Sequence, residues 1–480
     1  MKNRRGVWVV VALAVTAVGP SRSEAIAQEA TGEPRPGDTQ ATTRVLTMDR
    51  AMELAVSHSP LYRKALNQLE MVGPQGRQAW GGFLPSLSVS YGTGQRFDRQ
   101  TTAVDFFGNP IENPTSETIY TSSASQGLSL GLDLFQGGRR FHQLGEARAV
   151  AEANRRRGQG ELNGVLAQVQ RQFLGAQEQA ALLTVERELL VARERDLEVT
   201  RRLFDLANKN RADVLGIEVE LEQQRSGVRR AEGEYRKALL ALQTAIGDPG
   251  IREMAIGGRE PETFDPEGLN LAELVAQAVQ SSPRVLEAGA SSRSLGAQLA
   301  MSRSDRWPTI SLNGNVGRGS YGPDQSALFD FSPSDIGGSV QLSVSIPVFQ
   351  RFNTSYQIAQ ASVAHQNALE DQRLMELQVE EEVRARYVDL ETAWLTLQDA
   401  GRSLALAQER LRLLREEYRL ATATFEDLQG AVRTAAEGRR AVVQQRYAFA
   451  RALVDLYEAA GVVAERAGLA NVAGAPDSEN

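Results

Sequence analysis

The spacing of apolar residues along the chain changes near Phe135. Before it, leucine occupies every second position from Leu128 to Leu134, which predicts a strand with one apolar face. After it the pattern is helical, with apolar residues seven positions apart at Leu183, Leu190, Leu197 and Phe204. A polar break at 208–210 separates this helix, predicted over 139–207, from a second one over 212–247. The pattern therefore predicts a strand that leads into a long helical hairpin.

This unit occurs twice at a constant spacing. Adding 214 to the residue number converts Leu128 to Leu342 and Leu183 to Leu397. The segment before the unit is also repeated, at a spacing of 223, and the difference of nine residues falls in a polar connection between strands, where length changes are tolerated. Internal repeats indicate one interlocked architecture rather than separate globules. We therefore expect an α+β protein with an internal duplication.

Each repeat is predicted to contain two helices, a strand, a polar connection, a second strand and the long hairpin. The strands are expected at 84–94, 120–135, 307–317 and 338–349, joined by loops at 95–119 and 318–337. In the first repeat a helix runs from Leu61 toward Trp80 and is interrupted at Gly73-Pro74. The predicted division is a signal peptide (1–27), a disordered leader (28–45), the first repeat (46–247), a linker (248–268), the second repeat (269–465) and a flexible tail (466–480).

The N-terminus has the pattern of a secretory signal peptide. Lys2, Arg4 and Arg5 precede a short apolar run over 7–18, and an A-x-A cleavage pattern ends at Ala27. The apolar run is too short for a membrane span, and no later segment is apolar for 18 residues. We expect an exported protein whose mature chain begins at Gln28.

The amino-acid composition excludes several kinds of binding and catalytic site. The formal net charge of -7 does not indicate a nucleic-acid partner. The absence of cysteine excludes disulfides, thiolate metal sites and lipid attachment at an N-terminal cysteine, and the three histidines are not at ligand spacing. No nucleophile-base set or phosphate-binding glycine loop is found, and the run Glu380 to Glu382 is typical of a solvated helix face. We expect no enzyme activity, no cofactor and no metal.

The strands leave two interpretations open. One face is aliphatic and the other carries small polar residues, which suits either a lipid-facing sheet with a polar lumen or a soluble sandwich. The export signal and the helices favour the lipid-facing sheet. The helix over 139–207 would be about 100 Å long, and a second apolar row beside the first indicates partners on both sides, at Leu182, Val185, Leu189 and Val199. The alternative is a coiled coil of two antiparallel helices only.

Several motifs together resemble the TolC family of outer-membrane efflux proteins over residues 46–465. They are LPSLSVSYG at 84–92, DLFQGGR at 133–139, PVFQ at 347–350, and the helix tips LANKNRADVLGIEVEL at 206–221 and LATATFEDLQGAVRTA at 420–435. The resemblance implies a homotrimer in which four strands per protomer form a shared twelve-stranded β-barrel. The long helices would continue it as a periplasmic α-helical barrel that narrows at its inner end.

The function implied by the resemblance is passive export. The protein would be the exit duct of a tripartite efflux system, carrying substrates from an inner-membrane RND, ABC or MFS transporter and a periplasmic adaptor across the outer membrane. A duct for type I protein secretion is the alternative. An exported enzyme or a structural coiled-coil rod is the remaining class, and channel conductance separates it from both ducts.

The candidate site residues lie at the two helix tips. Asp213 and Asp427 are equivalent and begin the returning helices, where a carboxylate commonly caps a helix. In a trimer each would also form a ring of three carboxylates at the periplasmic entrance, able to select cations. The resemblance implies that Asp427 is the stronger candidate, because the second turn is the usual gating side in the TolC family. The resemblance further implies adaptor contacts at Leu206, Ala207, Asn208, Leu420, Ala421 and Thr422.

Overall fold

The computed structural model describes residues 45–104, 106–107, 109–206, 210–248, 255–322, 336–420 and 422–469. Its elements follow the same order twice, from short helices through two strands to a helical hairpin. They are β1 (Val45–Leu46), α1 (Met48–His58), α2 (Pro60–Glu70), α3 (Val72–Gly81), β2 (Ser86–Val104), β3 (Pro110–Gln136), α4 (Arg139–Asp205), α5 (Arg211–Ile246), β4 (Ala255–Ile256), α6 (Leu271–Ser281), α7 (Pro283–Ser304), β5 (Thr309–Gly322), β6 (Ile336–Ser345), α8 (Asn353–Arg419), α9 (Phe425–Ala459) and α10 (Val463–Arg466). In the described part of the chain, no helix combines the length and the apolarity that a membrane crossing requires.

The long helices confirm the predicted duplication. Helices α4 and α8 contain 67 residues each and begin 214 positions apart. Their partners α5 and α9 also begin 214 positions apart, at Arg211 and Phe425. Each long helix therefore spans about 100 Å at 1.5 Å per residue.

Helix α4 packs against α5 on one side and α9 on the other. Its buried residues Leu166 and Phe173 belong to one cluster with Leu242 of α5 and Tyr447 of α9. Two predicted heptad positions, Leu183 and Leu197, are buried as well. The two-helix coiled coil is therefore wrong for this chain, because α4 has partners on both sides.

The apolar core lies where the short helices cross the long ones. Helix α1 contributes Ala51 and Ala55 to the cluster around α4. In the second repeat, α6 contributes Leu274 and Val275 to a cluster formed by α8 and α9. Burial of these aliphatic side chains attaches each set of short helices to its hairpin.

The four strands β2, β3, β5 and β6 form one antiparallel sheet in that order. Cross-strand pairs such as Val89 with Leu128 place aliphatic residues on one face, and Val89 is 81% exposed. The other face carries hydroxyl and amide groups, and the Ser88 Oγ and Ser129 Oγ atoms lie 2.7 Å apart. The alternation predicted from the sequence is confirmed, and its apolar face is open in the protomer.

The first strand pair is longer than predicted. Residues 95–119 were expected to form a loop, but β2 has 19 residues, β3 has 27, and pairing continues to Val104 and Pro110. Threonine and aromatic residues favour the strand here, as in the pair of Phe97 with Tyr120. Proline is tolerated in the first part of β3 because, among the described residues, this part pairs with β2 alone and pairing with β5 begins at Ser122. In the second pair β5 extends to Gly322, whereas β6 ends at Ser345, four residues before the predicted end.

The helix predicted from Leu61 toward Trp80 is two helices. The break falls at Met71, between α2 and α3, rather than at Gly73-Pro74. Pro74 occupies the third position of α3, where a backbone N–H has no helical partner and proline costs little. The equivalent helix α7 runs unbroken for 22 residues.

Two segments expected to be loose are packed against the rest of the protein. The segment 248–268 was predicted as an irregular linker, but it contains β4, which pairs in parallel with β1 through Val45 and Ala255. In the tail predicted over 466–480, Ala467 and Leu469 pack on the core cluster around α4. Residues 1–44 and 470–480 lie outside the described residues.

Candidate functional site

Both returning helices begin with a capping box that contains the predicted aspartate. In the first hairpin Asn210 is the N-cap residue, and its Oδ1 accepts from the Asp213 backbone N–H at 2.9 Å. In the second, Thr424 Oγ1 accepts from the Asp427 N–H at 3.1 Å. The two aspartates accept in return from the N-cap backbone N–H groups, at 3.4 and 3.3 Å. Each pair satisfies two N–H groups that the helix itself cannot, so both aspartates have a capping role.

Asp427 has one contact more than its counterpart. The Thr424 hydroxyl donates to Asp427 Oδ2 at 2.5 Å. Hydrogen bonds from the Thr424 hydroxyl and backbone hold the pKa of Asp427 below its usual value. Its carboxylate is therefore ionised at neutral pH and exposed at the helix tip.

The residues that end the outgoing helices are exposed and apolar. Leu206 is 70% exposed and Leu420 is 75% exposed, although each directly follows a long packed helix. In the second turn the Thr422 backbone N–H and hydroxyl both donate to the Glu417 carbonyl, at 2.9 and 3.0 Å. Ala207, Asn208 and Ala421 lie outside the described residues. The tips thus present leucine side chains beside capped helix starts.

Phe425 joins the tips of the two hairpins. This first residue of α9 packs on Leu428 and Tyr418 of its own hairpin and on Ile217 and Leu221 of α5. A Cβ at Gly216 would lie 2.8 Å from the Phe425 ring, so glycine is required for this close approach. The sequence indicated neither residue, since Phe425 replaces Arg211 of the first repeat and its partner lies on another helix.

A ladder of polar contacts joins α4 to α9 behind the tips. The α4 residues are seven or eight positions apart and meet α9 as Arg171 with Asp455 and Glu458, Glu178 with Arg451, Glu186 with Arg440, and Arg193 with Gln429. We call these four sets of contacts the interhelix ladder. Their spacing is a signal that sequence reasoning missed, because charged residues at the seam spacing of a long helix indicate polar contacts between helices.

Glu186 of α4 is a nearly buried acid of the interhelix ladder, and its carboxylate is bound by residues of two other helices. Its carboxylate accepts from Arg440 Nε at 2.5 Å and from Gln224 Nε2 of α5 at 2.7 Å. Burial alone would raise the pKa of Glu186, but the hydrogen bonds from Arg440 and Gln224 outweigh burial and lower it. Glu186 is therefore a charged junction of three helices.

Charge near the tip end of the ladder is less completely paired. Burial lowers the pKa of Arg193, whose guanidinium also reaches Glu220 at 3.3 Å. Burial raises the pKa of Asp196 and outweighs the positive charges of Arg415 and Arg193, which lower it. One Asp196 oxygen is buried without a hydrogen-bond partner among the described residues. Just behind the apolar contact of Phe425, the packing between the hairpins thus contains buried charged groups that are only partly paired.

Comparison with known proteins identifies this arrangement. The sequence profile described as outer membrane efflux protein matches residues 51–248 and 274–462. Protein CyaE of Bordetella pertussis is 27% identical over 359 residues, which cover 72% of this chain and 70% of that protein. Two solved structures share the fold across 86% of this chain. One is a membrane protein from Pseudomonas aeruginosa, with a TM-score of 0.70 and 20% sequence identity over 93% of its chain. The other is the CmeC outer membrane channel of Campylobacter jejuni, with a TM-score of 0.69 and 14% sequence identity over 85% of its chain.

These matches confirm the resemblance drawn from the strand motifs and helix tips. The profile places the protein in the outer membrane as an efflux protein rather than an enzyme or a structural rod, and the solved structures share its fold. The profile covers both repeats and nearly all the described helices and strands. The chain belongs to the outer membrane efflux protein family, the TolC family.

Proposed function

We propose that the protein is the passive exit duct of a tripartite efflux system. The observation that carries the proposal is the sheet, which is apolar on one exposed face and polar on the other. Its edge strands, β2 and β6, have no further strand beside them in the described part of the chain. Four strands cannot close a barrel, and open sheet edges are unfavourable within lipid. A homotrimer would pair β2 of one protomer with β6 of the next and make a twelve-stranded barrel.

The hairpins also support a trimer. Helices α5 and α8 keep exposed apolar residues along faces that no described element covers, among them Leu215, Val219, Val388, Leu395 and Leu413. In a closed ring of hairpins, α5 of one protomer would meet α8 of the next and bury both rows. The four long helices of each protomer would thus form the wall of a periplasmic tunnel.

The chain would conduct without supplying energy. An inner-membrane RND, ABC or MFS transporter would drive the substrate, and a periplasmic adaptor would join it to the tips. Exposed Leu206 and Leu420 offer apolar contacts for adaptor helices. The residues that follow them in the sequence, Ala207, Asn208, Ala421 and Thr422, would complete the adaptor contacts. Since the long helices lie in the periplasm, the β2–β3 turn and the β5–β6 connection would face the cell exterior.

The division of the chain is part of the proposal. Residues 1–27 would be removed as a signal peptide and 28–45 would form a leader. The repeats at 46–247 and 269–465 would each give one sixth of the tunnel wall and barrel of the trimer, with 248–268 between them and 466–480 as a tail. Protein secretion is the less favoured function because the family description names efflux.

Single-channel recording tests the duct. Purified trimer added to a planar lipid bilayer is expected to give discrete, stepwise conductance at neutral pH. A chain that stays monomeric without detergent and gives no conductance steps would overturn the proposal. A strain lacking the gene should regain resistance to small toxic compounds with the wild-type copy, and rescue only of a secreted protein would favour the alternative function.

The aspartates at the tips are expected to set ion selectivity. Three copies of ionised Asp427 at a narrow mouth would concentrate cations, and Asp213 would add a second ring. Asparagine keeps much of the capping geometry, so Asp427→Asn should reduce the reversal potential across a KCl gradient toward zero while the trimer persists. Asp213→Asn should have a smaller effect. A double variant with wild-type selectivity and an intact trimer would leave the aspartates with capping alone.

A further inference from the structure

A row of four paired residues crosses the apolar face of the sheet near its far end. Tyr91 pairs with Gln126, Gln126 with Arg318, and Arg318 with Ile336, so all four strands contribute. A shallow pocket of about 440 Å³ surrounds this row and is also lined by Val89, Leu128 and Val316. We call it the Arg318 pocket.

Arg318 is an exception on this face. Between the row and the helical end of the sheet, the residues of β5 on the same face are aliphatic or glycine, namely Val316, Gly314, Leu312 and Ile310. The guanidinium is held against the sheet, because Arg318 Nε donates to Gln126 Oε1 at 2.9 Å. A charge on a lipid-facing surface is costly unless it lies at the border of the hydrocarbon.

The length of the apolar band places Arg318 at such a border. From Thr309 to Arg318 the strand rises about 30 Å, or about 23 Å along the membrane normal at a tilt near 40°. This matches the apolar band of outer-membrane barrels, which is about 25 Å tall. Exposed Trp307 and Trp80 lie at the helical end of the band, and Tyr91 lies at the other. Aromatic residues of this kind mark membrane interfaces.

We propose that the Arg318 pocket binds the phosphate group of a phosphorylated glycolipid in the outer leaflet of the outer membrane. The planar guanidinium matches the geometry of a phosphate, and the aliphatic side chains of Val89, Leu128 and Val316 contact its acyl chains. The anionic head group complements the charge of the guanidinium, and the acyl chains would continue along the lipid-facing surface of the sheet. It rests on the barrel and the orientation proposed above, since only these place the row at the external border.

The test measures lipid binding by purified trimers in a mild nonionic detergent. The probes are lipid A with its phosphates, the same lipid A after enzymatic dephosphorylation, and inorganic phosphate. The variants are Arg318→Gln, Arg318→Lys and Arg99→Gln, the last being an arginine on the same face eight residues beyond Tyr91 along β2. Conductance in a planar bilayer is recorded for every protein.

Loss of the guanidinium should weaken binding of phosphorylated lipid A roughly tenfold, since hydrogen bonds to a charged group are among the stronger ones. Arg318→Lys should lie between wild type and Arg318→Gln, and Arg99→Gln should bind as wild type does. Dephosphorylated lipid A should bind the wild type as weakly as phosphorylated lipid A binds Arg318→Gln.

If the wild type and both Arg318 variants form conducting trimers and bind phosphorylated lipid A with equal affinity, the proposed role of the Arg318 pocket is wrong. Inorganic phosphate that competes as well as lipid A would overturn the lipid assignment. If Arg318→Gln fails to assemble, the comparison of Arg318→Lys with Arg99→Gln decides. Absence of conductance in the wild type would instead count against the channel itself.

Discussion

Replacing Glu186 by alanine is expected to lower the free energy of unfolding of the assembled protein by roughly 3 kcal/mol, because it removes one partner of an enclosed ion pair. The Glu186 side chain is only 11% exposed and its carboxylate accepts from Arg440 at 2.5 Å. The variant leaves Arg440 partly buried without its acid, and Gln224 loses its contact with that carboxylate. The penalty thus combines lost hydrogen bonds with an uncompensated charge.

The same contact predicts a pH dependence. Since the pKa of Glu186 is lowered in the folded protein, its stabilisation is fully present above the ordinary value of 4.5. It is lost as the pH falls below that value and through the lower pKa of the folded state. The wild type should therefore lose more thermal stability on acidification than Glu186→Ala, which has already lost this term.

Thermal unfolding of trimers in detergent, followed by circular dichroism at neutral and acidic pH, measures both effects. Arg440→Ala and the double variant complete a double-mutant cycle, in which the two single effects should not add. Glu53→Ala is the matched control, because Glu53 pairs with Arg50 on the surface of α1 and both side chains are more than half exposed. Equal melting of Glu186→Ala and Glu53→Ala would contradict the role of the ladder.

Gly137→Ala is expected to prevent most of the protein from assembling. Gly137 lies between β3 and α4 with a φ of +60°, in the left-handed region. A Cβ there would lie 2.6 Å from the Ser304 carbonyl oxygen and 2.7 Å from Trp307 Cβ. Backbone strain costs roughly 1–3 kcal/mol, and overpacking costs about as much again. The strand and the helix could then join only if α7 and β5 moved away.

The measurement is the amount of heat-resistant trimer recovered from outer membranes. Gly145→Ala provides the control, because Gly145 lies inside α4 and nothing is within 4 Å of its added Cβ. That change should be neutral or stabilising by about 0.5–1 kcal/mol. Wild-type recovery of Gly137→Ala would show that the junction tolerates a side chain, as the equivalent Arg351 does at a φ of 51° in the second repeat.

The local sequence pattern was enough to predict the four main strands and the long helices. The change from a period of two to a period of seven identified the strands and the long helices, and the constant spacing of 214 identified the duplication. The capping interpretation of Asp213 and Asp427 could be made from the sequence, since a capping box involves residues only three positions apart. Interactions between residues this close in the chain can be predicted directly from the sequence.

The contacts between residues that are far apart in the chain were decided only by the tertiary structure. The packing of Phe425 over Gly216 and the contact of Glu186 with Arg440 join residues more than 200 positions apart, and no local period reports which faces of two helices meet. The length of the first strand pair likewise depended on pairing, because Thr, Asn and Pro residues that read as a loop become strand when a partner satisfies their backbone. The sequence by itself thus determined the helices, the strands and their caps. The register between hairpins and the extent of the sheet came from packing and hydrogen bonding across the fold.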